Sequence, residues 1–407
     1  MDLLASNSWE LTGQVLGIVF FLSPIWLPIL LFYVFGKLWM NYIRTKFIQD
    51  AEFILLEIKL PRDITRSPAA MELVLSAFWQ SDPANTFIKR LWEGKIMDWF
   101  SLEMMSIGGE VHFFIWTNKK YKNVVESRIY AQYPNIEIYE VPDYTQFIEF
   151  DPNKNNIWAT DYQLKKPDPY PIMTYIDYGL DKDPKEEFKI DPLSALIEYL
   201  GSIQPGEQVW HQIIVRKHVK HRGRKSFFRA TDWQQDAKDL VSKIKSDIAA
   251  GTGEAFEKIG SNITEGQKKV ISAIERSTAK NAYEVGIRSI YIADNEVFNH
   301  GPNISGLFGS FFQVNSNDLN GFEAGKMTDF KYPWQDYKEI RMNRMRKEFF
   351  DAYRARGYFH YPYKKKWFIL NTEELATIYH FPGDVVQTPT FGRIGSRKAE
   401  PPTNLPV

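Results

Sequence analysis

The hydrophobic pattern of this chain is dominated by one long apolar run near its start. Residues 15–36 contain no charged side chain, and Lys37 ends the run. About 20 apolar residues is the length that an α-helix needs to cross a hydrocarbon core roughly 30 Å thick. A cleaved signal peptide would have a basic start and a shorter apolar centre, whereas the residues before this run include Asp2 and Glu10 and no Lys or Arg. We therefore predict a transmembrane anchor and juxtamembrane segment in residues 1–50.

The charges that flank the apolar run predict its orientation. Lys37, Arg44 and Lys46 follow the run, and no basic residue precedes it. Basic residues close to a membrane span favour the cytoplasmic side. We therefore expect a protein of the bacterial inner (cell) membrane, with its N-terminus outside and the bulk of the chain in the cytoplasm. The lipid bilayer is then its first partner.

Beyond the anchor, the apolar residues follow periods typical of strands and of helices in turn. In residues 51–145 the order is β-α-β-β-α-β, which is typical of a ferredoxin-like unit with four antiparallel strands and two helices on one face. Gly108 and Gly109 predict the hairpin between the two middle strands. The predicted elements are strands 53–60, 99–107, 111–117 and 136–141 and helices 68–78 and 121–133.

The same order of elements recurs in residues 172–330, after a connector, residues 146–171, that is rich in Pro, Asp, Asn and Tyr. Because the recurrence lies in the order of elements and not in residue identity, the second unit is a hypothesis. The predicted fold class is α+β, with an N-terminal transmembrane helix followed by two ferredoxin-like (βαββαβ) units. The predicted elements of the second unit are strands 172–178, 207–215 and 281–293 and helices 192–200 and 303–314.

A long insertion, residues 216–280, separates the two middle strands of the second unit. Its first part, residues 216–229, carries seven basic residues and no acidic one. Three interpretations stay open for this basic run: a solvated hairpin tip, contact with anionic lipid headgroups, and contact with nucleic-acid phosphates. The candidate anionic-surface contacts are Arg216, Lys217, Lys220, Arg222, Arg224, Lys225 and Arg229.

The rest of the insertion is predicted to be helical, in residues 232–248 and 255–278. Each helix has a narrow apolar stripe on an otherwise polar segment, and such a stripe needs a partner: the other helix, another copy of the chain or the membrane surface. A homo-oligomer therefore stays open. The apolar positions are Leu240, Val241, Ile244, Ile248, Phe256, Ile259, Ile263, Val270, Ile271 and Ile274.

The C-terminal segment, residues 331–383, is predicted to be mainly helical. Its long helix should end at Gly357, because glycine readily adopts the left-handed conformation that closes many helices. Residues 384–407 are rich in Pro, Gly and Thr and are predicted to form an extended linker tail. The predicted elements are helix 334–356, strand 367–370 and helix 372–380.

Motifs for catalysis are missing from the sequence. It contains no GxxxxGK[ST] phosphate loop, no GxGxxG, no HExxH and no GxSxG, and its seven histidines are scattered. The absence of cysteine excludes disulfides and cysteine-ligated metals. The 50 basic and 50 acidic residues balance, so any attraction to lipid or nucleic acid must come from local patches. We therefore predict no enzyme activity, no catalytic residues, no cofactor and no metal site.

Four stretches of the chain carry a resemblance to a known family. Residues 56–78 are LEIKLPRDITRSPAAMELVLSAF, and residues 125–145 are VESRIYAQYPNIEIYEVPDYT. Together with residues 287–298 and 368–406, they resemble the membrane-proximal N-terminal region of conjugation-type (type IV secretion) coupling ATPases of the HerA/FtsK class, especially those of candidate-phyla bacteria. In that family a motor domain with a phosphate loop follows the Pro-rich segment. Since this chain stops at Val407, the resemblance implies a protein without the ATPase domain, either a stand-alone membrane partner or a truncated version.

The anchor and the resemblance together lead to a functional expectation. We expect a membrane-anchored, non-catalytic scaffold that docks or regulates a separate P-loop ATPase of a type IV secretion or conjugation-like translocation system. The alternative is an oligomeric scaffold at the membrane surface that binds anionic lipid or nucleic acid through the basic insertion.

Overall fold

The computed structural model divides the chain into two compact units. The anchor unit comprises Met1–Ala51 and Pro83–Ile96, and the body comprises Glu52–Asp82 and Met97–Val407. The residues that the structure describes are 16–61, 66–79, 86–181, 190–219, 221–226, 229–231, 233–252, 264–330, 334 and 336–383.

The described residues form helices and strands in the following order along the chain. The helices are α1 (Ser23–Asp50), α2 (Pro68–Phe78), α3 (Phe87–Trp92), α4 (Lys122–Gln132), α5 (Ser194–Gly201), α6 (Trp233–Thr252), α7 (Glu265–Thr278), α8 (His300–Gly309), α9 (Ile340–Arg354) and α10 (Thr372–Ile378). The strands are β1 (Phe53–Lys59), β2 (Phe100–Ile107), β3 (Glu110–Asn118), β4 (Glu137–Val141), β5 (Asn155–Leu164), β6 (Glu207–Lys217), β7 (His221–Ser226), β8 (Arg229–Thr231), β9 (Ala282–Asp294), β10 (Phe322–Met327) and β11 (Phe368–Asn371).

The body is built on one antiparallel sheet, so the predicted α+β class is confirmed. The strand order is β10-β5-β9-β6-β2-β3-β1-β4, and the pairing of β2 with β6 joins the two halves of the sheet. Strand β9 has 13 residues, which is long enough to pair with β5 and also with β11. Strands β7 and β8 form a separate two-stranded ribbon.

The first strand of the second half does not lie where the sequence pattern places it. Strand β5 falls inside the predicted connector, and the predicted strand at residues 172–178 is wrong because residues 172–174 have no regular structure and residues 175–178 form a turn. The Asp177 side chain accepts the backbone N–H of Thr174 at 3.0 Å, and the Asp177 N–H donates to the Thr174 carbonyl at 2.9 Å. Side-chain bonds of this kind compete with strand pairing. They close a turn here although the residues are apolar enough for a strand.

One face of the sheet carries the main hydrophobic core. Residues that are paired across neighbouring antiparallel strands lie side by side, so their side chains point to the same face of the sheet. Leu56, Leu102, Ile213 and Ile287 are fully buried there. Helices α2, α4, α5, α8 and α10 cover them with buried residues that include Val74, Ile129, Leu200, Leu307 and Leu375.

The opposite face of the sheet is covered by α9. Trp210 of β6 packs against Phe350 and Tyr353 of this helix, with ring centroids 5.9 and 5.2 Å apart. The helix begins at Ile340, six residues later than the predicted start at position 334. A helix on this face gives the sheet two buried sides, so few of its central side chains reach solvent.

A row of buried polar residues crosses the sheet beneath α9. In the strand register, Asp161 lies opposite Arg288, Arg288 opposite Gln212, and Gln212 opposite Glu103. All four residues are at most 6% exposed. The Gln212 side-chain amide donates to Glu103 at 2.9 Å, and the Arg288 guanidinium donates to the backbone carbonyl of Gly357 at 2.6 Å. The row therefore bonds the sheet to the chain that follows α9.

The end of α9 corrects the expectation that Gly357 closes the helix. Arg356 takes the left-handed conformation instead, with a φ of +45°. Its N–H donates to the Tyr353 carbonyl at 2.9 Å, and the Gly357 N–H donates to the Ala352 carbonyl at 3.0 Å. This is the bonding of a Schellman motif, which glycine usually closes. The Arg356 side chain supplies the reason, because it donates to Glu103 at 3.0 Å and also bonds Asp143.

Candidate functional site: the anchor unit and the basic hairpin

The anchor unit contains the one helix among the described residues that is long and apolar enough to cross a membrane. Helix α1 has 28 residues, and its apolar half has no buried residue within the protein. Large apolar side chains are strongly exposed there; Phe32, for example, is 77% exposed. Soluble proteins rarely leave so large a contiguous apolar surface in water. This surface is the strongest functional feature of the unit.

Prolines interrupt the first turns of this apolar segment. The structure breaks the helix at Leu22, ahead of Pro24, and includes Pro28 inside α1. A proline has no N–H to donate, so it leaves a carbonyl of the preceding turn unpaired. The Trp26 indole donates to the Val19 carbonyl at 2.9 Å, close to the break. Side-chain donors that satisfy freed carbonyls are one means by which prolines are tolerated in lipid.

The C-terminal end of α1 packs against α3, a short helix that the sequence pattern does not predict. The Trp39 indole donates to the Leu91 carbonyl at 3.1 Å, and its ring centroid lies 6.0 Å from that of Trp92. Gly94 has a φ of +66°, and a Cβ there would lie 2.4 Å from the Ile43 carbonyl oxygen. Only glycine permits this close approach.

The surface of α3 combines apolar and basic side chains. Ile88 and Trp92 are 72% and 75% exposed, and Lys89 and Arg90 lie between them. Aromatic and basic residues next to an apolar span are typical of the boundary between a membrane and water. The residue composition of the anchor unit is therefore typical of the place where an apolar helix ends at a membrane surface.

The basic run does not form one exposed patch. Arg216 is buried, its guanidinium pairs with Glu284 at 2.6 Å, and it stacks on the Phe359 ring at 4.2 Å. It is therefore a structural residue of the body and not a surface contact. The Lys217 ammonium lies 3.7 Å from the centroid of the Trp79 ring. This contact occupies one face of the lysine but leaves it partly exposed.

The remaining residues of the run belong to the two-stranded ribbon or lie outside the described residues. Arg222, Arg224 and Lys225 are in β7, and Arg229 is in β8, paired with Ser226. Lys220 lies outside the described residues, as do Phe227 and Phe228. The backbone of this hairpin is compatible with each of the three interpretations of the basic run.

The two helices of the insertion pack against each other. Ala237 and Val241 of α6 form one buried cluster with Ile271 and Ile274 of α7. The partly buried Tyr170 packs against the same cluster. Within the described residues, each apolar stripe therefore has the other helix as its partner. The stripe positions Phe256, Ile259 and Ile263 lie outside the described residues.

One serine–histidine pair in the core has the residue types of a nucleophile and a base. His211 Nδ1 lies 2.8 Å from the hydroxyl of Ser289, and both residues are fully buried. Burial lowers the pKa of His211 to about 3, which keeps the ring neutral. Neither side chain has accessible surface in the described part of the body. In the part of the chain that the structure describes, no three histidine or carboxylate side chains gather as ligands for a metal ion.

The fold and the anchor unit together define an α+β protein that carries an N-terminal apolar helix of membrane-spanning length. Residues 56–393 match the family described as a domain of unknown function, DUF8128. Because the match covers most of the 407 residues, the chain belongs to that family. No curated protein matches the sequence.

Proposed function

We propose that this protein is a membrane-anchored, non-catalytic scaffold that docks or regulates a separate translocation ATPase of the type IV secretion or conjugation class. The observation that carries the proposal is the anchor unit, in which a bare apolar helix ends in aromatic and basic residues. In this proposal the body provides the docking surface on the cytoplasmic side of the bacterial inner membrane. The resemblance of four stretches to the membrane-proximal region of coupling ATPases indicates the kind of partner.

The architecture of the body supports a role in binding. We propose that its sheet consists of two ferredoxin-like units joined edge to edge. The strand orders β2-β3-β1-β4 and β6-β9-β5-β10 support this, because each half has its first and third strands at the centre. The fold itself hosts many functions and specifies none. Glu103 at its centre pairs with Arg356 inside the body, which favours a structural use of this charge over turnover.

Purification of the protein with its partners tests this proposal. The full-length chain is crosslinked in cells, extracted in detergent and purified beside a variant that ends after Gly383. We expect a P-loop ATPase to co-purify with the full-length chain, and less of it with the shortened variant if the tail tethers the motor. Equal recovery with both variants would place the docking surface on the body.

Two results would contradict the proposal. The first is the absence of any ATPase among the crosslinked partners of both variants. The second is nucleotide hydrolysis by the purified chain alone, at a rate that scales with its concentration. Either result would remove the role of a passive docking platform, whatever the membrane topology.

A further inference from the structure

A cleft opens at one edge of the sheet, and all the residues that line it belong to the body. It lies between β5, β10 and the segment that leads into β11, and its volume is about 450 Å³. Ligand pockets in proteins usually measure about 300–1,000 Å³. The cleft is therefore large enough for a small molecule. Five lysines line it, and we call it the lysine cleft: Lys165, Lys166, Lys326, Lys365 and Lys366.

The lining of the lysine cleft carries more positive than negative charge, although the chain as a whole has no net charge. Five lysines line it and only two aspartates, so the balance of its lining is basic. Lys326 and Lys365 both pair with Glu348 at 3.2 Å. Lys165 and Lys366 are exposed and have no carboxylate partner among the described residues. Like charges held together at a concave surface attract anions.

Carboxylates offset part of this charge, and Asp161 lies 3.9 Å from the Lys365 ammonium. Asp161 is 6% exposed, and one of its carboxylate oxygens has no hydrogen-bond partner among the described residues. Burial raises the pKa of Asp161, although Arg288 and Lys365 act against this effect. A buried polar atom without a partner is costly to the fold.

The shape of the cleft is maintained by its backbone. Gly325 lies in the wall, and a Cβ there would lie 3.1 Å from the Asp161 carbonyl oxygen. The Tyr358 hydroxyl donates to the Lys366 carbonyl at 3.1 Å and holds the opposite wall. The cleft thus has β5 and β10 on one side and the hydrogen-bonded segment before β11 on the other.

We propose that the lysine cleft binds the phosphate groups of a soluble small molecule, with Lys165 and Lys366 as its free cations. Lysine ammonium groups bind phosphate as point charges, without the fixed geometry of arginine. The partly exposed Trp367 beside the lysines provides apolar surface for the rest of such a ligand. This site is separate from the proposed docking function and does not depend on it.

Calorimetric titration with pyrophosphate, at constant ionic strength, tests the proposal on the full-length protein in neutral detergent. The test variant is Lys165→Gln/Lys366→Gln, and the matched control is Lys238→Gln/Lys269→Gln, which removes two exposed lysines that do not line the cleft. We expect pyrophosphate to bind the wild type and the control equally, and the test variant at least ten-fold more weakly.

Three outcomes would overturn the proposal: no binding by the wild type, equal binding by the test variant, or an equal loss in the control. The first would show that the lysines are only solvated, and the other two would show that the anion binds elsewhere. A parallel titration uses soluble short-chain phosphatidic acid. Binding of that lipid without binding of pyrophosphate would also overturn it, because the ligand would then be a headgroup and not a soluble molecule.

Discussion

Arg356 bonds the C-terminal segment to the sheet through a buried ion pair. Its guanidinium bonds both oxygens of Glu103, at 3.0 and 3.2 Å, and also contacts Asp143. Burial lowers the pKa of Arg356, but the charges of Glu103 and Asp143 outweigh burial, so the net shift is upward and the cation is retained. The Trp99 indole donates to the backbone carbonyl of the same residue at 3.1 Å. One residue thus joins the sheet, α9 and the loop after β4.

We predict that Arg356→Met destabilises the body by about 3–5 kcal/mol, because it leaves the Glu103 carboxylate buried without its cation. The measurement is equilibrium unfolding of the purified protein, followed by tryptophan fluorescence. The double variant Arg356→Met/Glu103→Gln should recover part of the loss, since it removes the stranded charge. Arg344→Met is the matched control on the exposed face of α9 and should change stability by less than about 0.5 kcal/mol. Equal losses in both single variants would contradict the role of the buried pair.

The sequence predicts few of these residue roles. In the sequence, the helical pattern of α9 is followed by Gly357, which favours glycine as the residue that closes the helix. In the structure Arg356 closes it, because the Arg356 side chain binds two carboxylates, those of Glu103 and Asp143. In the same way Arg216 belongs to a basic run in the sequence but pairs with Glu284 in the body. The carboxylate partners of both arginines are distant along the chain, so local sequence patterns carry no information about these ion pairs.

At the level of elements, apolar periodicity predicts most of the described helices and strands of the body to within a few residues. The clearest failure is β5, which lies inside the predicted connector. Its residues, NNIWATDYQL, mix polar and apolar positions because Asp161 faces the buried polar row, so they lack a clean alternation. Tertiary packing, and not the intrinsic β-propensity of its residues, determines that this segment forms a strand.

The packing of α6 on α7 leads to a prediction about the insertion. Val241→Asp places a carboxylate in the buried cluster of the two helices, where it has no partner. We expect hydrogen exchange in α6 and α7 to lose protection while β6 and β9 keep theirs, because the strands are held by the rest of the sheet. Mass spectrometry of the exchanged protein measures both regions in one experiment.

The matched control for this prediction is Ser242→Asp, which introduces the same charge at an exposed position of α6. It should leave the protection of both helices unchanged. Unaltered protection in Val241→Asp would contradict the mutual packing of the stripes. Loss of protection through the whole sheet would show that the insertion is required for the body to fold.

At the scale of the whole molecule, the absence of cysteine gives a direct test of orientation. Single cysteines can be placed at Ser6, before the apolar run, and at Ser246, an exposed position on α6. Since basic residues follow the run and none precedes it, we expect Ser6→Cys to lie outside the cell and Ser246→Cys inside. In intact bacterial cells a membrane-impermeant maleimide should therefore label Ser6→Cys alone, and permeabilisation should make Ser246→Cys reactive as well.

The wild type, which has no cysteine, is the control for background labelling. Labelling of Ser246→Cys in intact cells would reverse the orientation, and with it the side on which a translocation ATPase could meet the body.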